Sequence, residues 1–229
     1  MKVFKEISKE VIEALKAGGV FIYPTETCYG LGGDATNSEV VEKIYKIKQR
    51  REKKPFLVLV PDVAMAMEYL EWSDKLDDIA SKHWPGPLTV VAGALSLRGG
   101  AKATTKQSKS SDNEIASLRF ALCKLPRNDG LAVGVVAPDG TVAMRVTAHP
   151  VAAALAQALG RPLISTSANI SGQEPSYSAK EVIQMFENQK YQPDILIDAG
   201  ELPKNLPTTM VRVVDGEVEI LRQGGIEIL

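Results

Sequence analysis

The chain is organised around residues 20–33, which read VFIYPTETCYGLGG. The apolar run at 20–23 predicts a buried strand, and the hydroxyls, carboxylate and glycines that follow it predict a ligand-binding loop. A proline directly after a strand ends its ladder hydrogen bonding, and glycines let the backbone approach a ligand closely. The stretch lacks the GxGxxG and GxxxxGK patterns, so it indicates neither a dinucleotide fingerprint nor a P-loop.

Apolar strand-like runs alternate with amphipathic helical patterns along the rest of the chain. The predicted strands are 20–23, 56–60, 88–92, 133–136, 142–146, 162–165, 195–198, 210–214 and 218–221. Helices are predicted to begin near Ser8, Asn37, Pro61, Ser73, Pro150 and Ala179. Pro-Asp-Gly at 138–140 and Asp-Gly at 215–216 are typical of hairpin turns. Interleaved strands and helices predict an α/β fold with a mixed, twisted sheet.

A length of 229 residues suits a single domain with an elaboration. Residues 98–129 carry glycines, serines and scattered lysines with little apolar surface to bury, so they predict a flexible insertion. The chain starts with charged residues and has no apolar run of about 18 residues, so we expect no membrane span and a cytoplasmic location. The net charge of −1 offers no general attraction for nucleic acid.

The basic residues, cysteines and histidines limit which kinds of binding site and catalytic site the sequence can form. Lysines and arginines crowd residues 43–54, which fits either a solvated helix end or the binding of a polyanion or nucleotide phosphate. Cys28 and Cys123 are far apart and form no CxxC, so we expect neither a zinc site nor a disulfide framework. Cys28 fits a packing role better than a nucleophilic one. His83 and His149 fit structural roles, and no metal site is predicted.

Two loops rich in hydroxyl groups, residues 25–27 and 165–171, follow predicted strands. Either loop alone fits ordinary turn and capping hydrogen bonds, but two of them together with a basic run favour a phosphate-bearing ligand. Arg145 and Arg222 end predicted strands. Each suits either a clamp for a carboxylate or phosphate or a surface ion pair.

Lys48 and Arg50 are two residues apart, so on a continuous helix they would point to nearly opposite sides. They can act together only if their helix ends there. A site of hydroxyls, amides and cations, with no base or nucleophile of its own, suits transfer of a phosphoryl or nucleotidyl group by positioning and charge stabilisation. Magnesium, if used, would be held mainly by the oxygens of a triphosphate.

Several motifs follow one another along the chain: PTET at 24–27, KxR at 48–50, PGPxT at 85–89 and SxN at 167–169. This ordered set resembles the YrdC-like family of threonylcarbamoyl-AMP synthases, in its single-domain form, over nearly the whole chain. The resemblance implies a twisted mixed sheet with flanking helices and a concave ligand-binding face. It also implies that L-threonine, bicarbonate or CO2, and ATP give L-threonylcarbamoyl-AMP and pyrophosphate, a step toward the t6A modification of tRNA. Mg2+ would be held mainly by the nucleotide.

The resemblance implies roles for individual residues as well. It assigns catalysis to Lys48 and Arg50. It assigns ATP binding to Arg50, Lys54, Thr141, Ser167, Asn169, Ser176 and Arg222, and L-threonine binding to Thr27, Arg145, Ser165 and Thr208. Leu59 stands where many relatives place a histidine directed toward threonine, which puts the amino-acid specificity in question.

The sequence leaves three alternatives open. One is a YciO-like paralogue of altered activity, and the leucine at position 59 is compatible with that alternative. Another is an RNA-binding module with a basic face, although an aromatic content of 6% provides few stacking platforms. A carbamoyl-transfer domain of a hydrogenase-maturation protein is the third, and we expect here none of the acylphosphatase and zinc-finger modules that accompany it. For the synthase, the implied partners are tRNA, through the basic face, and a downstream threonylcarbamoyl transferase complex.

Overall fold

The computed structural model describes residues 1–51, 54–95, 130–214 and 216–228. Within these ranges ten strands form one sheet, and six helices pack against it. The strands are β1 Lys2–Phe4, β2 Phe21–Pro24, β3 Tyr29–Gly32, β4 Leu57–Val60, β5 Leu88–Gly93, β6 Thr141–Val146, β7 Leu163–Ser167, β8 Ile195–Ile197, β9 Thr209–Val214 and β10 Glu217–Arg222. The helices are α1 Lys9–Lys16, α2 Ser38–Ile47, α3 Val63–Tyr69, α4 Asp74–His83, α5 Pro150–Leu159 and α6 Ala179–Phe186. Of these helices, none is both long enough and apolar enough to cross a membrane.

The strands lie in the order β1, β8, β2, β3, β7, β4, β6, β5, β9, β10. β8 pairs in parallel with β1 and β2, and the pairs β4 with β6 and β5 with β9 are also parallel. The other neighbours are antiparallel, including the hairpin of β9 and β10. The predicted mixed sheet is therefore confirmed, with β7 near its middle between β3 and β4.

Two apolar cores lie on the two faces of the sheet. α1 and α5 contribute to one core, which includes Leu15 and Leu155. The remaining four helices contribute to the other core, which includes Ile44 of α2. Adjacent residues of β7 show the division, because Leu163 belongs to the first core and Ile164 to the second. Helices thus flank the sheet on both sides, as predicted.

Most helix ends follow the predicted signals. The Ser8 hydroxyl accepts a hydrogen bond from the third backbone amide of α1 at 3.4 Å, and Asn37 Oδ1 accepts one from the second backbone amide of α2 at 2.9 Å. Ser73 caps α4 with a bond of 3.2 Å. Pro150 is the first residue of α5, and Gly160 closes that helix in the left-handed region at φ 68°.

β3 corrects the expectation that the whole stretch after β2 is a loop. It pairs with β2 on one side and with β7 on the other. Gly32 is required by this packing, since a Cβ there would lie 1.6 Å from the carbonyl oxygen of Ile164. The ligand loop is therefore confined to residues 25–28.

Other boundaries also differ from the predicted ones. Residues 133–136 form a turn closed by an isolated bridge rather than a strand, because Gly134 takes the left-handed φ of 93°. α3 begins after Asp62, which caps it, rather than at Pro61. The sequence does not predict β1, a three-residue edge strand. The predicted flexible insertion at 98–129 lies outside the described residues, as does Cys123.

Candidate active site

The candidate site is a cavity of about 370 Å3 on the face of the sheet that carries α1 and α5. β7 shows how it arises. Leu163 packs in the core with α5, whereas Ser165 and Ser167, on the same side of the strand, line the cavity. The lining residues are Thr25, Thr27, Cys28, Gly30, Leu57, Thr89, Arg145, Ser165, Thr166, Ser167, Pro175, Tyr177, Asn205, Pro207, Thr208, Met210 and Arg222.

All four residues assigned to L-threonine binding, Thr27, Arg145, Ser165 and Thr208, line this cavity. They come from the loop at 25–28, from β6, from β7 and from the residue before β9. Arg145, Ser165 and Thr208 are buried. One buried guanidinium among hydroxyl groups suits a small polar ligand with a carboxylate. Their contact with threonine remains a prediction.

Thr25 shapes the loop that carries Thr27. Its hydroxyl donates to the carbonyl oxygen of Cys28 at 2.7 Å and accepts from the backbone amide of Thr27 at 3.3 Å. The Cys28 thiol lines the cavity, and burial raises its pKa. A raised pKa leaves less thiolate at neutral pH, which agrees with the packing role expected for this cysteine.

Arg145, which lines the cavity, forms an ion pair with Glu26, which does not. Its Nη2 lies 3.2 Å from Glu26 Oε2, and both side chains are largely removed from solvent. Burial alone would raise the pKa of the Glu26 carboxyl, but the Arg145 charge and hydrogen bonds from Thr147 and Ala148 outweigh it, so the pKa is lowered. Glu26 is therefore ionised at neutral pH. Glu26 belongs to the PTET motif, but the sequence alone predicts no role for it.

Lys48 lies behind the cavity wall rather than on it. It is the C-terminal cap of α2, and Gln49 follows it in the left-handed region at φ 52°, so the helix ends where the KxR pair requires. The buried ammonium donates to the Ser167 carbonyl at 2.6 Å, the Asn169 carbonyl at 3.0 Å and Asn169 Oδ1 at 2.9 Å. Burial, with a smaller effect of Arg50, lowers the pKa of Lys48 to about 8. Lys48 thus fastens the SxN loop to the end of α2.

The SxN loop is a closed hydrogen-bond network. The Ser167 hydroxyl donates to Asn169 Oδ1 at 2.7 Å, and the Asn169 amide donates to the Gln173 carbonyl. Ser176 is buried and donates to the Ala168 carbonyl at 3.1 Å. Of the predicted ATP contacts in this loop, Ser167 lines the cavity, whereas the side chains of Asn169 and Ser176 hold the loop in shape.

Three other predicted ATP contacts lie apart from the cavity lining that the described residues form. The Arg50 guanidinium carbon lies 5.4 Å from the centre of the Phe56 ring. Lys54 is exposed. Thr141 donates its hydroxyl to Asp139 at 2.7 Å, at the end of β6 opposite Arg145. A nucleotide that reached these residues would extend beyond the cavity.

Arg222 also lines the cavity, next to Thr208. Its guanidinium donates to the Thr208 carbonyl at 2.9 and 3.1 Å and to the Thr208 hydroxyl at 3.0 Å. Thr208 also pairs with the Thr89 hydroxyl at 2.9 Å. Thr89, from the PGPxT motif, also lines the cavity, as do Tyr177 and Asn205. The sequence alone predicts no role for any of the three. For Tyr177 and Asn205 no sequence signal pointed to the site.

Leu59 does not line the cavity. It is fully buried in the core with Tyr23 and Leu155, whereas Leu57, two residues earlier on the same side of β4, is a lining residue. The departure at Leu59 therefore acts on packing rather than on the cavity surface, and Leu57 is the residue of β4 placed to contact an amino acid.

Exchanging each leucine for histidine tests this distinction. Leu59→His buries an imidazole in an apolar core, so it should lower the free energy of unfolding by about 2 kcal/mol or more without changing the preference for threonine over serine. Leu57→His should change that preference with a smaller loss of stability. Urea unfolding and turnover with each amino acid provide the two readouts. If Leu59→His changed the preference for threonine over serine and Leu57→His did not, the assignment of Leu59 to the core and Leu57 to the cavity would be wrong.

No group of three or more His, Cys, Asp or Glu side chains suited to a metal ion occurs among the described residues.

The chain is similar to known proteins in sequence and in fold. A family model of the Sua5, YciO and YrdC proteins, described as telomere recombination, matches residues 13–224. The threonylcarbamoyl-AMP synthase of Idiomarina loihiensis is 31% identical over 204 residues, which cover 87% of this chain and 90% of that protein.

Solved structures share the fold. P. abyssi Sua5 complexed with L-threonine matches with a TM-score of 0.71 and 25% identity, covering 98% of this chain and 57% of that one. This chain thus spans little more than half the length of P. abyssi Sua5. E. coli YciO matches with a TM-score of 0.68 and 24% identity over 97% of this chain and 93% of its own. The chain belongs to the Sua5/YciO/YrdC family.

Proposed function

We propose that this protein is an L-threonylcarbamoyladenylate synthase, which makes L-threonylcarbamoyl-AMP and pyrophosphate from L-threonine, bicarbonate or CO2, and ATP. The observation that carries the proposal is the convergence of Thr27, Arg145, Ser165 and Thr208 on one cavity. The name of the Idiomarina loihiensis relative and the threonine complex of P. abyssi Sua5 support the same reaction.

The cavity would bind the amino acid through complementary groups. The buried guanidinium of Arg145 would take the carboxylate, and the hydroxyls of Thr27, Ser165 and Thr208 would take the remaining polar groups. The amine adds to CO2 and releases a proton, which gives a carbamate. Holding both substrates in a fixed geometry raises the effective concentration of that carbamate beside the nucleotide.

The nucleotide would lie across Ser167 and Arg222 and reach toward Arg50, Lys54 and Thr141. A carbamate oxygen attacks the α-phosphorus, the bond from that phosphorus to the bridging oxygen breaks, and pyrophosphate leaves with the electron pair. Cations and backbone amides stabilise the charge on the phosphoryl oxygens, so the residues that bind ATP also lower the barrier. Mg2+ bound to the triphosphate would add to this stabilisation.

Pyrophosphate release tests the proposal. We expect release from ATP, bicarbonate and Mg2+ to depend on L-threonine, to be weaker with serine and to be absent without an amino acid. Mass spectrometry should detect threonylcarbamoyl-AMP. A folded protein that releases no pyrophosphate under these conditions would contradict the synthase and favour a YciO-like paralogue of altered activity.

We also propose tRNA modification in the cytoplasm as the setting, with the downstream threonylcarbamoyl transferase complex as the acceptor of the product. A tRNA contact is supported by Tyr191, whose half-exposed ring has the Lys46 ammonium at 6.0 Å and the Lys190 ammonium at 5.4 Å from its centre. A tRNA affinity that does not fall with added salt would contradict this contact.

A further inference from the structure

The ion pair of Glu26 and Arg145 is buried beside the cavity. The Arg145 side chain is 3% exposed and the Glu26 side chain 16% exposed, with Nη2 and Oε2 at 3.2 Å. Arg145 lines the cavity, whereas Glu26 is absent from the lining formed by the described residues. Glu26 therefore contacts the guanidinium from behind, on the side away from a ligand.

Glu26 is itself held in place from several directions. Its Oε1 accepts from the Thr147 hydroxyl at 2.7 Å and from the Ala148 amide at 2.7 Å. Its backbone carbonyl accepts from Asn205 Nδ2 at 2.8 Å. These bonds connect the loop at 25–28 to the segment between β6 and α5 and to Asn205, which also lines the cavity. The carboxylate is thus a fixed point rather than a mobile surface group.

Arg145 Nε and Glu26 Oε2 are both buried, and neither makes a hydrogen bond among the described residues. The two side chains are therefore held together by the attraction of their charges at 3.2 Å rather than by a well-aligned hydrogen bond. An arginine side chain is long and flexible, and fixing it in advance lowers the entropy lost when it binds a carboxylate.

We infer that Glu26 is a positioning residue, which holds the Arg145 guanidinium from behind so that the guanidinium stays at the cavity wall, where it can bind the carboxylate of the amino-acid substrate. This inference rests on the proposed function. Glu26 also has a second, opposing effect, because its negative charge weakens the attraction of Arg145 for any carboxylate. Neutralising Glu26 would lower the affinity for L-threonine if positioning dominates and would raise it if this charge effect dominates.

Glu26→Gln keeps the shape of the side chain and removes its charge. If Glu26 positions Arg145, KM for L-threonine should rise by about tenfold or more, while KM for ATP should stay within about twofold. If Glu26 acts only through its charge, KM for L-threonine should fall. Thr147→Val, which frees Oε1 from one donor without touching Arg145, should raise KM for L-threonine in the same direction by a smaller factor.

Asp34→Asn is the matched control. Asp34 is a buried carboxylate paired with Arg161 at 2.9 Å, and it is not a lining residue. Its loss should lower the melting temperature and leave KM for L-threonine within about twofold. Titration calorimetry of L-threonine with each folded variant gives affinities independent of turnover.

The outcomes separate the inference from the proposed function. A wild-type protein without threonine-dependent pyrophosphate release overturns the function. A wild-type protein with that activity, together with unchanged or lowered KM for L-threonine in Glu26→Gln and Thr147→Val, overturns the positioning role of Glu26.

Discussion

Replacing Arg145 by lysine should lower kcat/KM for L-threonine by about 100- to 1,000-fold while the protein stays folded. Lysine keeps the positive charge but loses the planar fork, so it cannot hold Glu26 and a ligand carboxylate at the same time. Arg145 is 3% exposed, so water has little access to replace the missing donors. Pyrophosphate release measured over a range of threonine concentrations checks the result.

Arg161→Lys is the control for this substitution. Arg161 also pairs with a buried carboxylate, Asp34, but outside the described lining of the cavity. It should keep kcat/KM for L-threonine within about twofold of wild type, because neither Arg161 nor Asp34 lines the cavity and lysine keeps the positive charge beside Asp34. A wild-type kcat/KM in Arg145→Lys would show that charge alone suffices and would remove the carboxylate-clamp role.

The sequence predicts the fold well where local chemistry decides the structure. Cap residues such as Ser8 and Asn37, and the glycine after α5, set helix ends through bonds between neighbours in the chain. The α/β class follows from the alternation of strand and helix patterns. β3 is missed because its two glycines are typical of a loop, and the need for Gly32 comes from the Ile164 carbonyl, which is distant in the chain.

For the candidate site as well, the sequence predicts what local motifs determine and misses contacts between residues that are distant in the chain. The sequence finds the cavity residues Thr27, Ser165 and Ser167, since they lie in hydroxyl-rich stretches that follow or end β2 and β7. The partners of those residues are long-range: Glu26 meets Arg145, more than a hundred positions away, and no spacing in the chain signals that pair. Lys48 likewise meets its oxygen acceptors across the fold, so the motif alone does not separate a phosphate contact from a loop anchor.

Replacing Lys48 by methionine tests the role of the loop anchor. Methionine has a similar length but no donor, so the Ser167 carbonyl and both oxygens of Asn169 lose their shared partner. The Ser167 carbonyl still accepts from the Asn169 amide and Asn169 Oδ1 still accepts from the Ser167 hydroxyl, so the Asn169 carbonyl is the oxygen left without a donor among the described residues. One unsatisfied buried oxygen costs about 1–3 kcal/mol, and removal of a buried ammonium that had to be desolvated offsets part of that cost. We expect the free energy of unfolding to fall by about 1–2 kcal/mol, as urea denaturation would measure.

Activity should fall further than stability explains. The SxN loop carries Ser167 into the cavity, and a shift of about 1 Å in a positioning group can lower turnover by about 100-fold. We therefore expect kcat/KM for ATP to fall by at least that factor at temperatures well below the melting transition of the variant. Lys46→Met, on the exposed side of the same helix, should leave both stability and kcat/KM nearly unchanged. If Lys48→Met is destabilised yet turns over ATP like the wild type, the ammonium serves the fold alone, and the transition state must draw its positive charge from the arginines of the site.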